Sequence, residues 1–125
     1  DCSGITATSF EPREELVARW GSGLDGRLRS LEASLCGIHH SVSAEDLPRR
    51  FRAGSFDSVA FNFPLCADSP GEAAGDAASH GARARRRYAQ LADLLSAFFR
   101  GAAHVLRPGG ECHLRLTDQY ATSRG

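Results

Sequence analysis

The sequence contains no methionine and no lysine; all fifteen of its basic residues are arginines, and fifteen acids balance them. A formal net charge of zero gives the whole chain no field with which to draw in a nucleic acid or a membrane surface, so any basic patch must be local. Arginine without lysine, in an alanine-rich background, reads as a biased coding composition. Without a methionine, Asp1 reads as the start of a processed, trimmed or internal segment. No apolar run approaches the roughly 18 residues that span a bilayer, so no transmembrane helix is expected. There is also no C-x-x-C pair: Cys2, Cys36, Cys66 and Cys112 are widely spread, with no signal-peptide hydrophobic region, and they read as reduced intracellular thiols. Cys112-His113 and His39-His40 offer soft ligands, but neighbours on a strand point to opposite faces, so no metal site is expected.

What is present fits one domain over residues 1–125. Phe56-Asp57-Ser58-Val59-Ala60-Phe61-Asn62-Phe63-Pro64 is a short apolar, β-branched run bounded by Gly54-Ser55 and Pro64, and it predicts a buried strand. Pro64 has no N–H to continue a ladder, so the strand stops there. In open α/β sheets ligands sit at the carboxyl ends of strands, so Asn62 and Phe63 place an amide and a flat aromatic face at a candidate site mouth. Asn62 as a plain cap of the strand end is the structural alternative.

Upstream, Gly4 to Phe10 alternates as a strand. Pro12 opens a helix with Glu14 and Glu15 in its first turn and Leu16, Val17 and Trp20 on one face; Gly21-Ser22-Gly23 ends it. Leu24, Leu28, Leu31 and Leu35 form the stripe of a second helix, with Gly37 as its C-terminal glycine. Ile38 to Val42 predicts a strand, and Ser43 the N-cap of a short helix through Phe51. Residues 65–81 have little to bury and read as a flexible insertion, or as a lid over the preceding strand end.

Ala82 to Leu106 is the longest helical pattern, with Tyr88, Leu91, Leu95, Phe98, Ala102 and Val105 on one stripe. Arg83, Arg85, Arg86 and Arg87 crowd its first turns, where positive charge opposes the helix dipole; the cluster is either a phosphate-binding patch for RNA or a solvated face. Arg107-Pro108-Gly109-Gly110 breaks the helix, and Glu111 to Thr117 alternates as a last strand. Strands separated by helices predict an α/β fold, a doubly wound, mainly parallel sheet with helices on both faces.

These residues carry a resemblance. Ile5-Thr6-Ala7-Thr8-Ser9-Phe10, Val42-x-Ala44-x-x-Leu47, Phe56-Asp57 through Phe61-Asn62-Phe63-Pro64, Leu94-Leu95-x-x-Phe98-Phe99-x-x-Ala102 and Leu106-x-Pro108-Gly109-Gly110-Glu111-x-His113-x-x-Leu116 resemble the Rossmann-like methyltransferase domain of the 25S rRNA (uridine-N(3))-methyltransferase family. The resemblance implies S-adenosylmethionine as cofactor and methyl transfer to a uridine N3 in ribosomal RNA. It places Ser9, Phe10, Glu11, Val42, Ser43 and Ala44 near the cofactor's adenosine, and Asn62, Phe63 and Pro64 near the methyl group and target base. Glu11 is read equally well as a helix-start acid. Ribosomal RNA or a pre-ribosome is the implied partner, the nucleolus or nucleus the implied compartment, with an organelle as the other option.

Members of that family begin with a strand and a glycine-rich turn, and this chain begins after them; the resemblance expects the fold to be incomplete at its N-terminus, with a central strand upstream. Ser43 and Leu65 stand where the family usually has an aspartate and a histidine. The alternative function is therefore a catalytically inactive methyltransferase-like module that binds RNA or a ribosomal particle.

Overall fold

The computed structural model describes residues 4–64 and 77–116, the side chains of 77–80 excepted. The chain divides into two compact units, Asp1–Asp46 and Leu47–Gly125.

The first unit runs β1 (Thr6–Thr8), α1 (Arg13–Trp20), α2 (Ser22–Ala33), β2 (Gly37–His39) and a 3-10 turn (Ala44–Asp46). β1 and β2 are parallel, with Thr6, Ala7 and Thr8 opposite Gly37, Ile38 and His39. The pairing extends past both ends of β1, since Gly37 N–H donates to Ile5 O and Ser9 N–H to His39 O, each at 3.0 Å. Pro12 sits just outside α1, where its missing N–H costs nothing. Gly21 alone separates the two helices. Its φ of 80° lies where side chains are disfavoured, its N–H closes α1 on Val17 O at 2.8 Å, and its carbonyl accepts from Leu24 N–H at 3.1 Å.

The end of α2 differs from the sequence expectation. The left-handed position is taken by Leu35, at φ 66°, while Gly37 already pairs in β2. Cys36 N–H reaches back to Leu31 O at 3.2 Å, so the closing turn holds Leu35 there without a glycine. An ion-pair network ties α1 to α2: Arg13 donates to Asp25 through Nη2 at 3.0 Å and to Glu32 through Nη1 at 2.7 Å, and Arg29 reaches the other Asp25 oxygen at 2.9 Å.

The second unit runs α3 (Leu47–Arg50), β3 (Phe56–Asn62), α4 (Ala77–Val105) and β4 (Leu106–Arg115). α4 supplies the core: Leu91, Phe98, Ala102 and Val105 are buried, on the stripe read from the sequence, although Tyr88 at its start is exposed. Phe61 from β3 lies against Phe98 with ring centroids 4.8 Å apart, and Phe51 meets Phe56 edge to face at 5.3 Å. Leu47 on α3 is buried as well, and α3 packs against α4.

β3 and β4 are parallel, from Val59 opposite Cys112 to Asn62 opposite Arg115. Arg107-Pro108-Gly109-Gly110, read from the sequence as a break before the last strand, lies inside β4 as a bulge. A step from Phe56 to Ser58 is met by a step from Leu106 to Glu111. Gly109 takes φ 77°, and a Cβ on Gly110 would stand 3.0 Å from Arg107 O, Asp57 O and a Leu106 methyl, so only glycine fits the crossing. The Arg107 side chain reaches across the bulge to pair with Asp57.

Two further expectations are corrected. Residues 77–81, read as part of an insertion, are the first turns of α4; residues 65–76 of that expectation lie outside the described residues. Cys36, read as a reduced thiol, is disulfide-bonded, whereas Cys112 is free. Wide spacing in sequence says nothing about which thiols a fold brings together. Parallel strands and helices make the protein α/β, with the described strands in two separate pairs. No helix is long and apolar enough to cross a membrane among the described residues.

Candidate functional site

Apart from Arg83, Arg85, Arg86 and Arg87, the sequence-predicted site residues lie at or beyond the carboxyl ends of parallel strands, some in each unit. In the first unit, the chain leaving β1 and the chain leaving β2 are stitched together. Val42 N–H donates to Ser9 O at 2.9 Å, Ser41 N–H to Glu11 O at 3.4 Å, and the Ser9 hydroxyl donates to the same Glu11 carbonyl at 2.8 Å. Ser9, Glu11 and Val42, distant in sequence, thus share one hydrogen-bonded corner. Val42 is buried, and Ser41 holds φ 56° to make the turn. Ser43 carries out its expected capping role, its Oγ accepting from Glu45 N–H at 3.3 Å and its carbonyl from Asp46 N–H at 2.9 Å, with Ala44 opening the 3-10 turn. Phe10 points its ring outward, 73% exposed. The Glu11 carboxylate is paired with Arg19 of α1, so its side chain has a structural partner within the unit.

The residue that sequence reasoning missed is His40. Its Nδ1 lies 2.8 Å from Ser9 Oγ. Ser9 has one hydroxyl proton and directs it to Glu11 O, so Nδ1 must be the donor in this contact, and the neutral ring then has a bare lone pair on Nε2. That Nε2 is buried and has no hydrogen-bond partner among the described residues. A lone histidine beside another histidine gave no sign of this, because the partner that fixes its tautomer is 31 residues away.

In the second unit, Asn62 is the last paired residue of β3 and is exposed, opposite Arg115 of β4. Phe63 follows at φ 50°, a left-handed conformation that costs a bulky side chain about 1 to 2 kcal/mol. Its N–H donates to Arg115 O at 2.8 Å, and its ring is 52% exposed. Pro64 is buried, so the chain turns inward immediately after presenting the two preceding side chains.

Arg83, Arg85, Arg86 and Arg87 lie on α4, but that helix starts at Ala77, which moves them out of its first turn and removes the dipole penalty expected from the sequence. Arg83, Arg86 and Arg87 share a face at helical spacing and each has a partner in the structure; Arg83 is half-buried and Arg85 to Arg87 are exposed. Among the described residues, no group of three His, Cys, Asp or Glu side chains could hold a metal ion. A cleft of about 320 Å³ between α1 and α2 is lined by Leu16, Trp20, Gly23, Leu24 and Arg27, and none of the sequence-predicted site residues lines it.

Short parallel strands interspersed with helices define an α/β protein. The chain belongs to the BMT5-like family, described as rRNA (uridine-N3-)-methyltransferase BTM5-like, which it matches over residues 1–124. Comparison with curated proteins and with solved structures found no significant match.

Proposed function

We propose that the protein is an S-adenosylmethionine-dependent methyltransferase acting on N3 of a uridine in ribosomal RNA. Family membership supports methylation of rRNA uridine as the activity. The observation that carries the reading to particular residues is Phe63, an exposed aromatic ring held in a strained backbone conformation directly beside an exposed amide, Asn62. Strain of this kind persists only where surrounding structure enforces it, and such sites concentrate at functional positions.

Bound S-adenosylmethionine would supply a methyl group already activated on a sulfonium. The chain's own residues then have to bind and orient. Phe63 offers a face on which an unstacked uracil can lie, a contact worth about 1 to 3 kcal/mol. Asn62 carries an NH2 that can donate to a uracil carbonyl beside N3, which orients the base and leaves N3 itself open to the methyl group. Buried Pro64 fixes the chain beyond them. Ser9, Phe10, Glu11, Val42, Ser43 and Ala44 form the corner assigned to the adenosine, and the buried, donor-less Nε2 of His40 in the same corner fits a ligand bearing N–H or O–H groups. Arg83, Arg85, Arg86 and Arg87 supply charge for the RNA phosphates, a role that a flatter salt dependence of RNA binding after their replacement by alanine would support and an unchanged one would remove.

A doubly wound sheet belongs to the same proposal. β1 and β3 each pair with one strand among the described residues, which leaves an edge on each for a further strand.

The test is Asn62→Ala, read by the appearance of N3-methyluridine in ribosomal RNA. The expected result is a fall in kcat with cofactor affinity nearly unchanged; equal loss of both assigns Asn62 to the fold instead.

A further inference from the structure

His40 presents an unusual arrangement: one ring nitrogen is fully used, and the other is buried with no partner among the described residues. Donation from Nδ1 to Ser9 Oγ at 2.8 Å already accounts for its structural role, since it orients the hydroxyl that holds Glu11 O and so closes the corner between β1 and β2. Nothing in that role requires a bare lone pair on Nε2. An acceptor shut away from water without a donor is unfavourable by about 1 to 3 kcal/mol, and native proteins seldom tolerate one without a use.

Three other side-chain acceptors at this corner are engaged. The Glu11 carboxylate pairs with Arg19, Ser43 Oγ accepts from Glu45 N–H, and Ser9 Oγ accepts from His40 itself. Phe10, which follows Ser9 in the chain, leaves most of its ring open. A purine nucleoside has the matching chemistry, a flat ring with hydrogen-bond donors on its edge and on its sugar.

We infer that His40 is a ligand-binding residue, locked as the Nδ1–H tautomer by Ser9, whose Nε2 accepts a hydrogen bond from the nucleoside of the cofactor. The donor is the exocyclic amine of the base or a ribose hydroxyl. The inference rests on the reading that the cofactor's adenosine binds at the ends of β1 and β2, and adds to it the residue that recognises a donor there.

Calorimetry with S-adenosylhomocysteine, its 6-oxo (inosine) counterpart and its 2′-deoxy counterpart tests this on the whole chain and on His40→Asn. Asparagine keeps an N–H donor where Nδ1 stands and removes the Nε2 acceptor. The protein is expected to bind S-adenosylhomocysteine roughly tenfold more tightly than one of the two analogues, which identifies the donor. His40→Asn is expected to bind S-adenosylhomocysteine roughly tenfold more weakly and to lose that discrimination. Binding with discrimination unchanged in His40→Asn, or with neither analogue disfavoured by the unsubstituted protein, overturns the inference alone. No binding of S-adenosylhomocysteine at all overturns it together with the cofactor reading.

Nitrogen-15 NMR of the unsubstituted protein decides the matter if the variant does not fold. The His40 ring is expected as the Nδ1–H tautomer, with an Nε2 resonance that moves when S-adenosylhomocysteine is added. An Nε2–H tautomer, or an Nε2 resonance indifferent to a bound ligand, overturns the inference.

Discussion

The backbone N–H of Phe63 donates to the carbonyl of Arg115 across 2.8 Å, one residue beyond the last paired position of β3. That bond continues the β3–β4 ladder by one step while the Phe63 backbone turns to φ 50°. The ladder and the buried Pro64 hold the residue from both sides in a conformation its side chain opposes. The strain is thus maintained by structure on either side of it, and its product is an aromatic ring left in the open beside Asn62.

Replacing Phe63 with glycine separates these two effects. Glycine accepts the left-handed backbone freely, and a half-exposed ring contributes little burial. Stability should be unchanged or rise by up to about 1 kcal/mol, read from the urea midpoint. Methyl transfer should fall by about tenfold or more, the loss expected of a base-stacking platform. A variant that is less stable and equally active would assign the ring a packing role.

Two glycines should respond in opposite directions to alanine. At Gly110 the new methyl would stand 3.0 Å from two backbone oxygens and a leucine methyl, and Gly110→Ala should destabilise by about 1 to 3 kcal/mol. At Gly26, within α2, nothing lies within 4 Å of the added carbon, and Gly26→Ala should stabilise by about 0.5 to 1 kcal/mol. Urea titration of the pair checks both signs. A neutral Gly110→Ala would mean the bulge can open.

Acid should weaken the first unit through Asp25. Hydrogen bonds from Arg13 hold its carboxyl below the usual carboxylate value, against burial that pushes it up, with the charge of Arg29 helping Arg13. A carboxylate whose folded pKa is depressed contributes stability above its unfolded value of about 3.9, and that contribution is lost as pH falls through the folded value. Between pH 7 and pH 3 the wild-type protein should lose more stability than Asp25→Asn, in which no carboxylate titrates at that position. Equal losses would show the Arg13–Asp25 pair to be energetically silent, as many exposed ion pairs are.

What could be read from the chain before its structure followed from the range of each interaction. The α4 stripe was legible because Leu91, Phe98, Ala102 and Val105 recur at helical spacing and are all buried. β3 was legible because apolar residues end at a proline, but it is not the buried strand expected, since its residues are half-buried or exposed. The start of β4 was not, because Pro108-Gly109-Gly110 has the composition of a break, and only the pairing with β3 turns it into a bulge. The left-handed end of α2 was assigned to glycine by rule, while the closing bonds around Leu35 impose it on a leucine. Asn62 and Phe63 followed from where a strand stops, whereas Ser9, Phe10, Glu11, Val42, Ser43 and Ala44 followed only from the family resemblance. His40 did not, since its tautomer depends on a serine brought beside it by the pairing of β1 with β2.

The most direct measurement of the account is thermal unfolding of the protein with and without S-adenosylmethionine, alongside calorimetric titration. Saturable binding of one molecule per chain is predicted, with a rise in unfolding midpoint equivalent to about 2.7 kcal/mol at a hundredfold excess over Kd. Absence of both heat and midpoint shift at millimolar S-adenosylmethionine would contradict it.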